Sequence, residues 1–176
     1  MDNQRSAQAL MSLVEEHHEM LYRYAYRLSG SAVDADDLTQ QTYLVAQSKL
    51  DQLRDKTKGG GWLCAILRNL FLKERRESQK LTLVPLDETS TSEEEQPKDD
   101  GEITPELLQE SLNELPEEFR TPIILFYFEN LSYRQIAEAM GIPLGTVMSR
   151  LARGKEQLRS QLKLRQQPLV KNETTE

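Results

Sequence analysis

The sequence predicts an all-α chain: two small helical domains joined by a flexible acidic linker. Three observations carry that expectation. Apolar residues recur at three- and four-residue steps through several long stretches, which is the period of a helix with one buried face. Between residues 81 and 103 the periodicity stops, and Pro85, Pro97, Gly101, a Thr/Ser cluster and a run of acids take its place. Low hydrophobicity and like charge make such a segment a linker. Finally, Leu131 to Lys155, LSYRQIAEAMGIPLGTVMSRLARGK, reads as two short helices around a tight turn, the pattern of a helix-turn-helix. The second domain is therefore expected to be winged-helix-like, without a wing.

The first helix is predicted over residues 8 to 28. Leu10, Leu13, Val14, His17, Leu21, Tyr24 and Leu28 keep the helical step, and Ser29-Gly30 ends it. Ser31, with Asp34 three residues on, marks the next start. Asp34, Asp36 and Asp37 fall in its first turns, where the helix dipole favours acids. That helix runs to about Leu50 and shows a polar, acidic side of Asp34, Asp37, Gln40 and Gln41. On its own this side reads as a well-capped, solvated face.

Asp51 to Gly61 is a polar loop ending in three glycines, and a third helix is predicted from Trp62 to about Gln79. Leu63, Ile66, Leu67, Leu70 and Phe71 form its core stripe. The opposite face collects Arg68, Asn69, Arg75, Arg76 and Gln79, with Trp62 at its edge. Two readings stay open. An aromatic beside Arg and Asn suits unpaired bases and phosphate, by stacking, charge and amide hydrogen bonds. Alternatively the basic face is merely solvated and Trp62 packs into the core.

After the linker, Thr104-Pro105-Glu106 is a helix start with a cap, Pro at the first position and an acid in the first turn. Pro116 opens a further helix carrying Phe119, Ile123, Ile124 and Phe126 to Phe128, which Pro122 bends. In the helix-turn-helix, Ser132 and Gln135 form a capping box. Gly141 suits the stop, and Pro143 prevents continuation. Val147, Leu151, Gly154 and Leu158 give the second helix its buried face, whereas Thr146, Ser149, Arg150 and Arg153 face outward. The second helix of a helix-turn-helix enters the major groove of DNA; a plain helical hairpin would show the same periodicity, and the small residues at the turn with the Thr/Ser/Arg outer face favour DNA. After about Leu164 the tail reads as disordered.

Charge fits nucleic acid once it is localised. The net charge is −7, yet Asp87 to Glu102 holds eight acids and one Lys, a net of −7. The remaining 21 acids and 21 bases cancel. Arg68 to Lys80 carries five bases against two acids, and Arg150 to Arg165 six against one. Local patches of this kind decide where phosphate docks.

Other classes are disfavoured. One Cys among 176 residues allows no internal disulfide and disfavours a Cys-based metal site. His17 and His18 are adjacent and point apart on a helix, a poor ligand pair. Pro122 to Phe128, the longest apolar run, is too short for a bilayer, and MDNQRSAQAL lacks a signal-peptide core. The expectation is a soluble, cytoplasmic chain. Gly59-Gly60-Gly61 lacks the Lys-Ser/Thr of a phosphate loop, and no nucleophile sits beside a base. No catalysis, cofactor, metal or small-molecule substrate is expected.

Across residues 8 to 165 the chain resembles the small extracytoplasmic-function (ECF) sigma factors of bacterial RNA polymerase, within the sigma-70 family. LYRYAYRLSGSAVDADDLTQQTYLVA is similar to the family's segment that binds the polymerase clamp, GGGWLCAILRNLFLKERR to its helix that reads the melted −10 element, and LPEEFRTPIILFYFENLSYRQIAEAMGIPLGTVMSRLARGKEQL to its −35 reader. The resemblance implies region two over 8–80, a linker over 81–103, region four over 104–165 and a tail over 166–176. It implies that Asp34, Asp37, Gln40 and Gln41 dock on the clamp coiled coil of core polymerase. The family commonly has Glu where this chain has Gln41. Trp62, Arg68 and Asn69 would lie along the unpaired strand, with Arg75 and Arg76 at phosphates, and Thr146, Ser149, Arg150 and Arg153 on the −35 duplex. A loop within Asp51 to Gly60 corresponds to the family's flipped-base pocket, but its sequence departs too far to name residues. Many relatives are held inactive by an anti-sigma factor, which the resemblance admits here as a further partner. Two other readings remain at this stage: a two-module helix-turn-helix regulator of duplex DNA, and an interaction module that binds no DNA.

Overall fold

The computed structural model describes residues 2–81 and 103–165. Both the linker expected over 81–103, apart from its end residues, and the tail over 166–176 lie outside the described residues. Among the described residues every regular element is helical.

Helix α1 spans Asp2–Ser29 and buries Leu13, Leu21, Tyr24 and Leu28. Gly30 stops it with φ of 76°, a left-handed conformation that costs glycine little. In α2, Ala32–Ser48, the Ser31 side chain accepts the Asp34 N–H at 3.3 Å, the cap that the sequence predicts. Two 3-10 turns follow, Leu50–Gln52 and Lys56–Lys58.

Helix α3 spans Gly59–Leu81, so the expected start at Trp62 is corrected: the three glycines belong to the helix. The cause is tertiary. A Cβ on Gly59 would meet Leu13 Cδ2 at 2.6 Å and His17 Nε2 at 3.1 Å, and one on Gly60 would meet Met20 Cε at 3.2 Å. These glycines let α1 and α3 approach closely. The stripe of Leu63, Ile66, Leu67 and Phe71 is buried as expected.

The second half opens with α4, Pro105–Glu114, whose Thr104 cap accepts the Leu107 N–H at 3.2 Å. Helix α5, Glu117–Ile123, contains Pro122. Just after Pro122 the chain widens into a π-type turn over Ile124–Phe128; Glu129 N–H donates to Ile124 C=O at 3.2 Å, five residues back. Pro122 offers no N–H to the ladder, so a change of helix type stands where a bend is expected. Helix α6, Tyr133–Met140, carries both bonds of the Ser132–Gln135 capping box. Gly141 ends it with φ of 66°. Helix α7, Leu144–Arg165, buries Val147, Leu151 and Gly154, and its last residue, Arg165, pairs with Glu110 and Glu114 of α4.

The two halves pack together. One cluster of buried residues runs from Leu21, Tyr24 and Leu67 in the first half to Leu112, Ile124 and Ile136 in the second. Polar bonds seal the seam: Gln109 Nε2 donates to Arg27 C=O at 3.1 Å, and Arg120 Nη1 to Leu28 C=O at 2.9 Å. The last carbonyls of a helix have no partner within it; here side chains of the second half supply partners for α1.

Candidate polymerase and promoter interfaces

The α2 face is open. Asp34, Asp37 and Gln40 are exposed, and Gln41 is half-buried, its amide donating to Glu74 Oε1 of α3 at 3.1 Å. Thus Gln41 is spent partly within the chain, and an amide suits that place, since a carboxylate there would face Glu74 and be repelled. Val33 and Leu44 remain 70% and 67% exposed. At positions 33, 37, 40 and 44, with steps of four, three and four, apolar and polar groups share one helical stripe. Sequence reasoning passed over Val33 and Leu44. The signal was available: both stand outside the core periodicity of α2.

On α3 the five predicted residues divide. Asn69, Arg75 and Arg76 are exposed. Trp62 is half-buried and packs against the core cluster while lining a cleft, so it serves both readings left open above. Arg68 points away from the core of its own half, as the period demands, but the second half covers it. Its Nε donates to Glu117 Oε1 at 2.6 Å and its Nη2 to Glu117 Oε2 at 3.2 Å. Both side chains are only 14% exposed.

The cleft lies between the loop after α2 and the start of α6. It encloses about 720 Å3, and its walls include Arg54, Lys58 and Trp62 on one side and Ser132, Arg134 and Gln135 on the other. Its lining mixes the bases Arg54, Lys58 and Arg134 with the acids Asp55 and Glu138, and Lys58 pairs with Glu138 across it. Asp55 organises the loop: its carboxylate accepts the Thr57 N–H at 3.0 Å and the Thr57 hydroxyl at 2.6 Å. Those bonds hold its carboxyl below the ordinary carboxylate value.

On α7, Ser149 and Arg153 are exposed and Thr146 and Arg150 half-buried. Arg150 Nη2 lies 3.3 Å from Glu118 Oε2 of α5. The Ser149 hydroxyl donates to its own helix, at Thr146 C=O, 3.0 Å away. Leu144 and Met148 also stand 48% and 52% exposed on this helix. Apolar side chains there can meet thymine methyls in a major groove, and the sequence reading, which followed polar residues, omitted them.

Gly154 sets the depth of α7 against α5. A Cβ there would meet Ile123 Cδ1 at 2.8 Å, Phe119 Cβ at 3.1 Å and the Phe119 carbonyl oxygen at 3.2 Å. The lone Cys64 is buried, and burial pushes its thiol well above the ordinary value, leaving it unreactive. Among the described residues no cluster of His, Cys, Asp and Glu could hold a metal ion, and no helix is long and apolar enough to cross a membrane.

Comparison with known proteins places the chain in a family. Residues 13–81 match the family model of sigma-70 region 2, and residues 106–158 that of sigma-70 region 4. The chain is 40% identical to the ECF RNA polymerase sigma factor SigE of Mycolicibacterium smegmatis, over 85% of this chain and 60% of SigE; it thus spans well under the whole of that relative. It is 34% identical to the ECF sigma factor SigL of Mycobacterium tuberculosis, over 82% of this chain and 84% of SigL. Among solved structures, a chain from the co-crystal structure of the sigma factor RpoE with the anti-sigma factor NepR from Bartonella quintana superposes with a TM-score of 0.67 at 27% identity, covering 92% of this chain and 96% of that one. The structure of CnrH with the cytosolic domain of CnrY shares the fold, with a TM-score of 0.63 at 21% identity over 90% of this chain and 95% of that one. Both region models in order on one chain, together with a relative matched over most of both lengths, show that the protein belongs to the ECF sigma factors of RNA polymerase.

Proposed function

We propose that the chain binds core RNA polymerase and directs promoter-specific initiation, with its work divided between its halves. The α2 stripe of Val33, Asp37, Gln40 and Leu44, with Asp34 and Gln41 at its sides, grips the clamp coiled coil. Trp62, Arg68, Asn69, Arg75 and Arg76 hold one separated strand of the −10 element; stacking and charge contacts on that strand offset the loss of base stacking. Thr146, Ser149, Arg150 and Arg153 read the −35 duplex. The linker joins the two DNA contacts on one molecule, which raises the effective concentration of the second once the first is made. No covalent chemistry is assigned to the chain, and its site of action is the cytoplasm, where polymerase works.

The observation that carries this reading is the combination on one chain of a basic α3 face, open to solvent at Asn69, Arg75 and Arg76, and a helix-turn-helix whose second helix, α7, exposes Ser149 and Arg153. A regulator of ordinary duplex DNA has use for the second alone. Because RpoE and CnrH were captured with NepR and CnrY, an anti-sigma factor is the further partner we propose. The test is transcription in vitro: the chain is added to sigma-free core polymerase and a promoter library. Initiation from a defined subset of start sites is expected. No specific initiation, with no core binding, would remove the proposal.

A further inference from the structure

We propose that Leu144, Met148 and Ala152 form an apolar reading edge on α7, and that the upstream promoter element is recognised in part through the C5-methyl groups of its thymines. The inference rests on α7 being the duplex-reading helix. Steps of four place the three residues along one flank of its outward side. All three are exposed, Leu144 at 48% and Met148 at 52%. Neither the core cluster nor the half-buried side chains packed on it include them; the buried face of α7 is carried by Val147, Leu151 and Gly154. Leu144 and Met148 stand at the N-terminal end of the helix, the end of a recognition helix that meets base edges.

The neighbouring polar groups are partly committed within the chain. The Ser149 hydroxyl donates to Thr146 C=O at 3.0 Å, which leaves it only acceptor capacity. One Arg150 nitrogen is held 3.3 Å from Glu118. Arg153 stays exposed beside them, a cation for phosphate or a base edge. In the major groove thymine alone of the four bases presents a methyl group, whereas cytosine presents an N4 amino donor. Against an apolar edge that donor would lose water and gain no partner, which is unfavourable, while the methyl gains contact. The edge therefore favours thymine over cytosine on both counts. Removing one methyl from such a contact should weaken binding about fourfold, the worth of one buried CH2 group.

The experiment uses the full chain with core polymerase on a promoter fragment from which that complex initiates. Thymines of the protected upstream element are replaced one at a time by deoxyuridine, which removes the C5-methyl and keeps every hydrogen-bonding group. The expected result is one or more positions at which the replacement weakens binding about fourfold, with no effect of replacements outside the protected element. Leu144→Ala and Met148→Ala are then made in the full chain. Both sites are exposed and Ala suits a helix, so the fold is kept, as circular dichroism checks. At least one variant should bind the thymine fragment about fourfold more weakly and no longer distinguish uracil from thymine at one of those positions. Binding that ignores every replacement, or a full uracil penalty that persists in both variants, overturns the proposal. Nuclease protection by the wild-type complex separates the two levels. Upstream protection with no uracil effect removes the methyl reading alone. Absence of any initiating fragment, or of upstream protection, removes the duplex reading and this inference with it.

Discussion

Gly154→Ala adds one methyl group where α7 crosses α5, and its effect can be worked from the distances. Ala is the better helix former by about 0.8–1.0 kcal/mol, so in open space the change would stabilise α7. Here the new Cβ meets Ile123 Cδ1 at 2.8 Å, Phe119 Cβ at 3.1 Å and the Phe119 carbonyl oxygen at 3.2 Å. The Ile123 methyl is a side-chain end and can swing aside, but the Phe119 atoms belong to or adjoin the backbone of α5 and move only with the helix. Overpacking of this kind costs about 1–3 kcal/mol, and the net is a loss of about 1 kcal/mol. Gly145→Ala is the matched control, since a Cβ at Gly145 meets nothing within 4 Å. The same chemical change at both sites largely cancels the propensity term, so the two variants should differ by about 1–3 kcal/mol. Urea denaturation of each full-length variant measures this through the midpoints at unchanged slope. Equal midpoints for the two variants would refute the claim that Gly154 is fixed by its contact with α5.

Three further outcomes are expected. Asp37→Arg reverses an exposed charge at the centre of the α2 stripe, and core binding, followed by gel filtration or fluorescence, should weaken while duplex binding by α7 stays as in wild type; equal loss of both would sink the division of labour. Arg150→Ala should cost about 1–3 kcal/mol in duplex affinity if the guanidinium reads a base, or lower the salt slope by about one if it touches phosphate; a titration across salt concentrations showing neither excludes Arg150 from the interface. Burial raises the Glu129 carboxyl above its ordinary value, against the opposing pull of its bond to Arg23. A raised folded value means its contribution is fully present below the ordinary carboxylate value of 4.5 and is lost as pH rises through the folded value. Chemical denaturation across pH 4 to about 7 should therefore show wild type losing stability relative to Glu129→Gln as pH rises, and a constant difference between them would contradict the burial argument.

Local signals in the sequence carried most of the fold. The capping box of Ser132 and Gln135, the Thr104 and Ser31 caps and the stops at Gly30 and Gly141 depend on neighbours three or four residues away, and each appears as the sequence implies. The start of α3 did not, because Gly59 and Gly60 are helical for the sake of Leu13, His17 and Met20, which lie some forty residues back. The seam was hidden for a different reason. Glu117 has a sufficient local explanation as an acid in a first helical turn, and Arg68 as an outward base, so neither residue advertises the other. Gln109 and Arg120 likewise become meaningful only when the end of α1 arrives beside them. Which polar side chains stay exposed was legible from the helical period, as at Asp37, Asn69, Ser149 and Arg153. The exposure of Val33, Leu44, Leu144 and Met148 was not, because an apolar residue on a helix is first counted towards a core, and only the packed structure shows which ones the core leaves out.

The central claim is that one chain both opens DNA and reads it as duplex. Permanganate reactivity of thymines on a promoter fragment, with core polymerase and with or without the chain, tests it most directly, together with nuclease protection on the same fragment. The account predicts reactive thymines around the −10 element only when the chain is present, with duplex protection upstream in the same complexes. Upstream protection by the chain without any reactive thymines would contradict it, since a duplex regulator would give that result.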